Sequence, residues 1–342
     1  MSQNPSVLIV GAGSMGIIMG YLLETAGANI TYLIRPHRAA TLAKPQVLYN
    51  FKDNSLKDYN VTSTITDPSM IKDQSYDYIL ITLDGAALRN ETGTELTRSI
   101  GDATRGTGTK IILGSVAFNS RAWFLQTSGL AEEQVTNGWL VIHAYSPKAV
   151  TLPIHEPADP ELVAKADLAY IDALGQGFLV DGDVPFAQEF ADLYNSCAVS
   201  KCVVQSGQQT LLMVLSFFPV FAVSEILGWP SLTDLSKKGE LWSLAVAATK
   251  EIQSLGLLGE AGKQAAASTS EEGLAAQFAG LEQVMRPLDL QEFNRYHHGG
   301  KVNVQDRALL RDCLAAGEAE GKGMTALKEL IARREAITTS GK

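Results

Sequence analysis

Val7-Leu8-Ile9-Val10-Gly11-Ala12-Gly13-Ser14-Met15-Gly16 decides how the first half of this chain folds. Four aliphatic residues in a row predict a strand buried on both faces, and a G-x-G-x-x-G series follows at once. Gly11 suits a tight turn, Gly13 lets backbone approach a pyrophosphate, and Gly16 lets a helix pack close to the strand. A helix is expected over Ser14 to Glu24, closed by Gly27, and then a second strand, Ile30-Thr31-Tyr32-Leu33-Ile34. Strand, helix and strand in this span form a βαβ unit whose helix start offers free N–H groups to phosphate. Gly11, Gly13, Ser14, Met15 and Gly16 are therefore expected dinucleotide contacts.

The end of the second strand sharpens the choice of cofactor. A site for NAD places Asp or Glu about twenty residues past the glycines, to hold the ribose 2′-hydroxyl. Here the position falls on Arg35, followed by Pro36, His37 and Arg38, with no carboxylate in the window. A guanidinium fork suits a 2′-phosphate, so NADP(H) is expected, held by Arg35 and Arg38. A solvated basic loop explains Arg38 more easily than Arg35.

Outward from this unit, further apolar runs predict strands at Tyr78 to Thr82, Lys110 to Leu113 and Trp139 to Ile142. Pieces at Leu168 to Ile171 and Gly177 to Val180 are expected to extend the same sheet. After about residue 205 the pattern becomes helical: Leu211 to Leu227, Glu240 to Leu255, Leu274 to Met285, Val304 to Glu320 and Thr325 to Ile337. Gly256 and Gly321 stand where helix C-caps are wanted, Pro287 separates two helices, and residues 259–273 suggest an exposed connector. The fold class is α/β: a Rossmann-type parallel sheet over 1–204 binding NADP, then an all-helical substrate and dimerisation domain over 205–342. The active site is expected in the cleft between them.

Composition excludes several classes. Apolar residues make up 46% and charged residues 19% of the 342, the profile of a globular protein. The balance of 28 basic to 37 acidic residues, net −9, with no Lys/Arg block, argues against a nucleic-acid partner. Cys197, Cys202 and Cys313 match no zinc spacing, and Cys197 and Cys202 read as small buried residues of a reduced, cytoplasmic protein. Met1-Ser2-Gln3-Asn4-Pro5 lacks a signal-peptide pattern, and Leu211 to Val223, with Pro219, reads as a core helix and not a membrane span. No metal is expected.

Taken together, these residues resemble the ketopantoate reductase family, which shares the G-x-G-x-x-G, the Arg ending the second strand and a helical C-terminal domain. Tyr76-Asp77-Tyr78-Ile79-Leu80-Ile81-Thr82-Leu83 matches in the sheet, and Gln305 to Met324 fits in position and length. The resemblance implies a 6-phosphogluconate-dehydrogenase-like plan, reduction of a 2-keto acid by NADPH, a small-molecule substrate between the domains, and a homodimer. The chain departs from the pattern in four places. Thr82-Leu83 is followed by Asp84 where the family carries a Lys, and Leu113-Gly114-Ser115 stands where it has Asn-Gly. Thr210 to Phe218 lacks the family's catalytic Lys and Asn, and the late-helix Glu falls nearest Gln305. Ketopantoate itself is therefore not the expected substrate.

Leu83 and Ser115, at chain ends after two strands, are expected beside the cofactor, with Asn119 and His143 as further candidates. The richest polar stretch of the helical half is Phe293 to Arg307, with His297, His298, Gly299, Gly300, Lys301 and Gln305. If a helix starts after the glycine pair, Lys301 and Gln305 share a face as i and i+4. Lys301 then replaces the missing lysine, Gln305 the missing Glu, and His298 is an alternative proton donor. Competing readings are a C=N (imine or opine-type) reductase and a non-catalytic NADP(H) sensor.

Overall fold

The computed structural model describes residues 4–340 and divides into two compact units, Met1–Gly207 and Gln208–Lys342. In the first unit the strands are β1 Ser6–Val10, β2 Asn29–Leu33, β3 Gln46–Asn50, β4 Ser55–Tyr59, β5 Thr64–Ile65 and β6 Tyr78–Ile81. They continue as β7 Lys110–Leu113, β8 Val135–Leu140, β9 His143–Tyr145, β10 Leu168–Ile171, β11 Phe178–Asp181 and β12 Cys202–Gln205. Eight build one sheet in the order β12-β11-β8-β7-β6-β1-β2-β5, parallel except where β11 meets β8. The others form a second sheet, β4-β3-β10-β9.

Side-chain alternation explains why the main sheet is covered on both faces. Val7 and Ile9 of β1 point into a core containing Ile17, Ile18 and Leu22 of the Ser14–Thr25 helix, together with Tyr78, Phe178 and Phe190. Leu8 and Val10 point into an opposite core with Ile79, Ile81, Ile100 and Phe124. With no face left for water, the strands have to be apolar throughout, which produces continuous runs.

Two expectations for the first unit need correction. Leu168–Ile171 does not extend the main sheet; it lies between β3 and β9 in the second. His143, which directly follows the expected strand Trp139 to Ile142, belongs to the second sheet as well: it opens β9, paired with Ile171 of β10. An apolar run reports burial but does not name its hydrogen-bond partner, and β3 is over a hundred residues away in sequence. β3 and β4 themselves pair antiparallel around Asp53 and Asn54, a turn signal left unread, with Asn54 at φ 55°.

The second unit is helical among its described residues. Its longer helices are Gly207–Ile226, Glu240–Gln253, Glu271–Val284, Asn303–Ala319 and Thr325–Ser340. Gly207–Ile226 has the length and mean hydropathy (1.6) of a membrane span, and Phe218 to Ser224 within it are buried. The supposed connector at 259–273 is instead a helix, Gly259–Ser268, and the capped start of the next. Ala261 and Ala265 to Ala267 favour helix, and the Ser270 hydroxyl accepts the Gly273 N–H at 3.0 Å. Gly256 is not a C-cap: it opens a 3₁₀ turn, and its N–H bonds the Glu320 carboxylate at 2.9 Å. Gly321, at φ 74°, does end the Asn303–Ala319 helix, and the Lys322 N–H returns to Gly317 O at 2.9 Å.

Candidate functional site

The glycine turn sits where the strand order reverses. β1 pairs with β2 on one side and β6 on the other, so the carboxyl ends of β2, β1, β6 and β7 open side by side. Gly11 adopts φ 101°, open to glycine at little cost, and its N–H bonds Leu33 O at 3.1 Å. A Cβ on Gly16 would lie 2.1 Å from Gly11 O, so that glycine is needed for the helix to reach the strand. A Cβ on Gly13 would meet no protein atom within 4 Å. Its missing side chain therefore leaves room on the open side of the turn, where a phosphate would come.

The start of the Ser14–Thr25 helix supports the same reading. No side chain caps it, and its first turn holds no acidic residue. Elsewhere in this unit, Asp84, Asn90 and Asp159 cap their helices through side-chain oxygens. An uncapped start keeps its N–H groups and its partial positive charge for a bound anion.

Around this turn the expected cofactor residues come together. Arg38 donates from its guanidinium to Ala12 O at 3.3 Å, tying the basic loop to the glycine turn, while Arg35 is exposed. Leu83 lies against Gly11, and its carbonyl accepts the Ser115 hydroxyl at 2.6 Å, linking the ends of β6 and β7. Asp84 caps the following helix through the Ala87 N–H at 2.8 Å. Asn119 is exposed at φ 51°, in front of the Ser120–Ser128 helix.

Two further groups here carried no motif. The Thr82 hydroxyl lies 3.1 Å from both Val10 O and Gly11 O, and Tyr32 reaches under the helix to Gly16 O at 3.3 Å. Desolvation by burial raises the Tyr32 phenol well above its usual range, so it stays a neutral donor. A depression of about 630 Å³, lined by Asn29, Tyr76, Asp77 and Thr109, lies at the amino ends of the same strands. That is the opposite end from the glycine turn.

In the helical unit the polar stretch is not one helix. Leu290–Tyr296 passes into a π turn, His297–Lys301, before Asn303–Ala319 begins. Val302, at φ −115° and ψ 13°, interrupts the helical geometry, so Lys301 and Gln305 do not share a face as expected. Lys301 is exposed and Gln305 is 7% exposed. Gly299 also has an internal reason: a Cβ there would lie 2.8 Å from Trp229 Nε1. His298 is half-buried, and its Nδ1 lies 2.8 Å from Asp306 Oδ2.

A charged network adjoins that pair. Glu225 bonds the guanidinium groups of Arg307 and Arg334 and accepts from Asn303 Nδ2 at 3.0 Å. It thereby joins three helices of the unit. Burial depresses the Arg334 pKa, opposed mainly by Glu225. Among the described residues no group of three or more His, Cys, Asp or Glu is placed to hold a metal.

Comparison with known proteins matches residues 7–102 to the family described as Ketopantoate reductase PanE/ApbA. Comparison with curated proteins gave no match. Among solved structures, 2-dehydropantoate 2-reductase from Geobacter metallireducens GS-15 is 18% identical with a TM-score of 0.67, over 97% of this chain and 99% of that one. A putative ketopantoate reductase from Ralstonia solanacearum MolK2 reaches 0.70 at 14% identity, over 99% of each chain. A D-mandelate dehydrogenase in ternary complex with NADH and anilino(oxo)acetate reaches 0.67 at 12% identity, over 98% of each chain. Residues 7–102 thus match the model of the ketopantoate reductase family, and the chain as a whole shares the fold of these solved structures.

Proposed function

We propose that this chain is an NADPH-dependent reductase of a carbonyl compound, a 2-keto acid other than ketopantoate in the first instance. The observation that carries the reading is the uncapped, glycine-lined helix start with Arg38 bonded to its turn and Arg35 exposed beside it. In this reading Gly11 to Gly16, with Ser14 and Met15, hold the pyrophosphate, and Leu83 and Ser115 border the nicotinamide end. Arg35 and Arg38 hold the 2′-phosphate, and the absence of a carboxylate from 35 to 38 favours NADPH over NADH. When bound, NADPH supplies a hydride to an electrophilic carbon. The helical unit supplies the substrate contacts, with Lys301, Gln305 and His298 as its candidate groups.

Replacement of the family's Asn-Gly by Gly114-Ser115, and of its Lys and Asn by the apolar run Thr210 to Phe218, underlies the exclusion of ketopantoate. The same apolar run, with Leu211, Leu212 and Val214 partly exposed, is our candidate for a homodimer contact, to be checked by sedimentation.

Titration with NADPH and NADH by fluorescence tests the cofactor; clearly tighter NADH binding rejects it. NADPH oxidation against 2-keto acids including ketopantoate, aldehydes, ketones and preformed imines tests the reaction. Preference for imines turns the reading to C=N reduction. Tight NADPH binding with no turnover makes the chain a nucleotide sensor.

A further inference from the structure

The π turn at His297–Lys301 places one imidazole under unusual control. His298 stacks on Phe221 with ring centroids 4.0 Å apart and planes at 21°, and meets Phe218 and His297 edge-on at 6.5 and 4.9 Å. Its Nδ1 faces Asp306 Oδ2 at 2.8 Å, and the Asp306 side chain is 1% exposed. The three ring contacts fix the plane of the imidazole, and the Asp306 contact fixes its rotation. A buried carboxylate at Nδ1 selects the tautomer with its proton there, leaving Nε2 as the ring nitrogen turned away from Asp306.

A purely structural tie accounts for this poorly. The helices involved are already joined by Glu225, Arg307 and Arg334. A tie is also expected to use every buried polar atom, yet Asp306 Oδ1 is buried with no hydrogen-bond partner. Among the described residues no protein group bonds His298 Nε2. The charged and titratable groups around the ring are Asp306 and His297 on the same segment, Glu225 through Asn303, and Arg334, which interacts with Asp306. Glu225 is shared between Arg307 and Arg334, so Asp306 is the second carboxylate of this network and the one that faces the imidazole.

We propose that His298 is the proton donor of the reduction and Asp306 its positioning residue; this rests on the reductase reading given above. Reduction of a carbonyl needs a hydride at carbon, which the reduced nicotinamide supplies, and one proton at oxygen. The carbonyl π pair moves to oxygen and takes the Nε2 proton of the imidazolium. The N–H pair stays on Nε2, and the product is the alcohol with neutral His298. Solvent returns the proton to Nε2.

The test combines turnover with a measurement that needs no cofactor. With a carbonyl substrate that wild type reduces, His298→Gln should lower kcat roughly 100- to 10,000-fold. NADPH affinity and Tm should stay near wild type. The wild-type kcat should fall at high pH with loss of one proton, and that limb should vanish in the variant. In the cofactor-free protein, ¹⁵N-histidine NMR should show neutral His298 protonated at Nδ1, with Asp306→Asn releasing that preference. A wild-type rate in His298→Gln, or an Nε2–H tautomer in the wild type, overturns the proposal. If His298→Gln also lowers Tm, His298→Ala decides: rescue of its rate by added imidazole supports the donor role, and failure of rescue overturns it. Wild type that binds NADPH but reduces nothing overturns the reductase reading and this proposal together. Turnover that survives the loss of His298 overturns this proposal alone.

Discussion

The glycine turn of the first unit and the π turn of the second are built from opposite materials. At Gly11 to Gly16 the working groups are backbone: missing Cβ atoms, one positive φ and an uncapped helix start. Around His298 they are side chains, buried and charged, drawn from residues 225, 298, 303, 306, 307 and 334. A site made of backbone needs glycines at fixed spacing and so leaves a local pattern. A site made of side chains needs only that distant residues meet, and leaves none.

The comparison is most exposed to failure at Glu225. Its carboxylate offsets Arg334, which is 2% exposed, so Glu225→Gln leaves a buried guanidinium uncompensated. The helical unit should lose about 3–5 kcal/mol in denaturant unfolding, with NADPH binding unchanged. A loss below about 0.5 kcal/mol would mean that the network contributes little.

Next in size is the split between two glycines. Gly16→Ala puts a Cβ 2.1 Å from a backbone oxygen and should cost about 1–3 kcal/mol of stability along with NADPH affinity. Gly13→Ala meets no protein atom within 4 Å, so it should weaken NADPH binding at unchanged Tm. Equal effects on Tm would erase the distinction between a packing glycine and a ligand glycine.

Arg38→Ala should weaken NADPH binding about tenfold, or about 1.4 kcal/mol, while leaving NADH binding unchanged in paired titrations. Loss of both equally would show that Arg38 supports the turn through Ala12 O and does not read the 2′-phosphate.

The smallest effect concerns a buried charge in the first unit. Burial, and then Asp183, push the Asp181 carboxyl up from its ordinary value, while it accepts the Gly207 N–H at 3.1 Å. A raised folded-state value means that the folded chain binds the proton more tightly, so stability falls as pH rises through that value. Asp181→Asn can keep the accepted N–H bond without the charge. It should flatten this fall, so its advantage over wild type grows as pH rises above about 4. A constant difference across that range would reject the assignment.

Much of the fold was legible in the sequence because its signals are local. The runs at 7–10, 30–34, 78–82 and 110–113 report burial on both faces, and each lies in the main sheet. The five long helical stretches likewise match observed helices to within a few residues, apart from Gly207–Ile226, which starts four residues early. Leu168–Ile171 was misplaced because burial does not specify a partner, and 259–273 because its small polar residues outweighed four alanines. Lys301 and Gln305 failed to align because Lys301 ends a π turn and Val302 interrupts the helical geometry before Gln305.

What the sequence determined by itself was the strand-turn-helix start, the turn at Gly11, the close packing at Gly16 and the basic end of the second strand, all within residues 7–38. Each follows from spacing along a single strand or helix, where chain geometry leaves little choice. Only the tertiary structure decided that Arg38 reaches Ala12, that Thr82 braces the turn from β6, and that His298 faces Asp306. Those contacts depend on strand order and on a widened helical turn, set by packing across the whole unit.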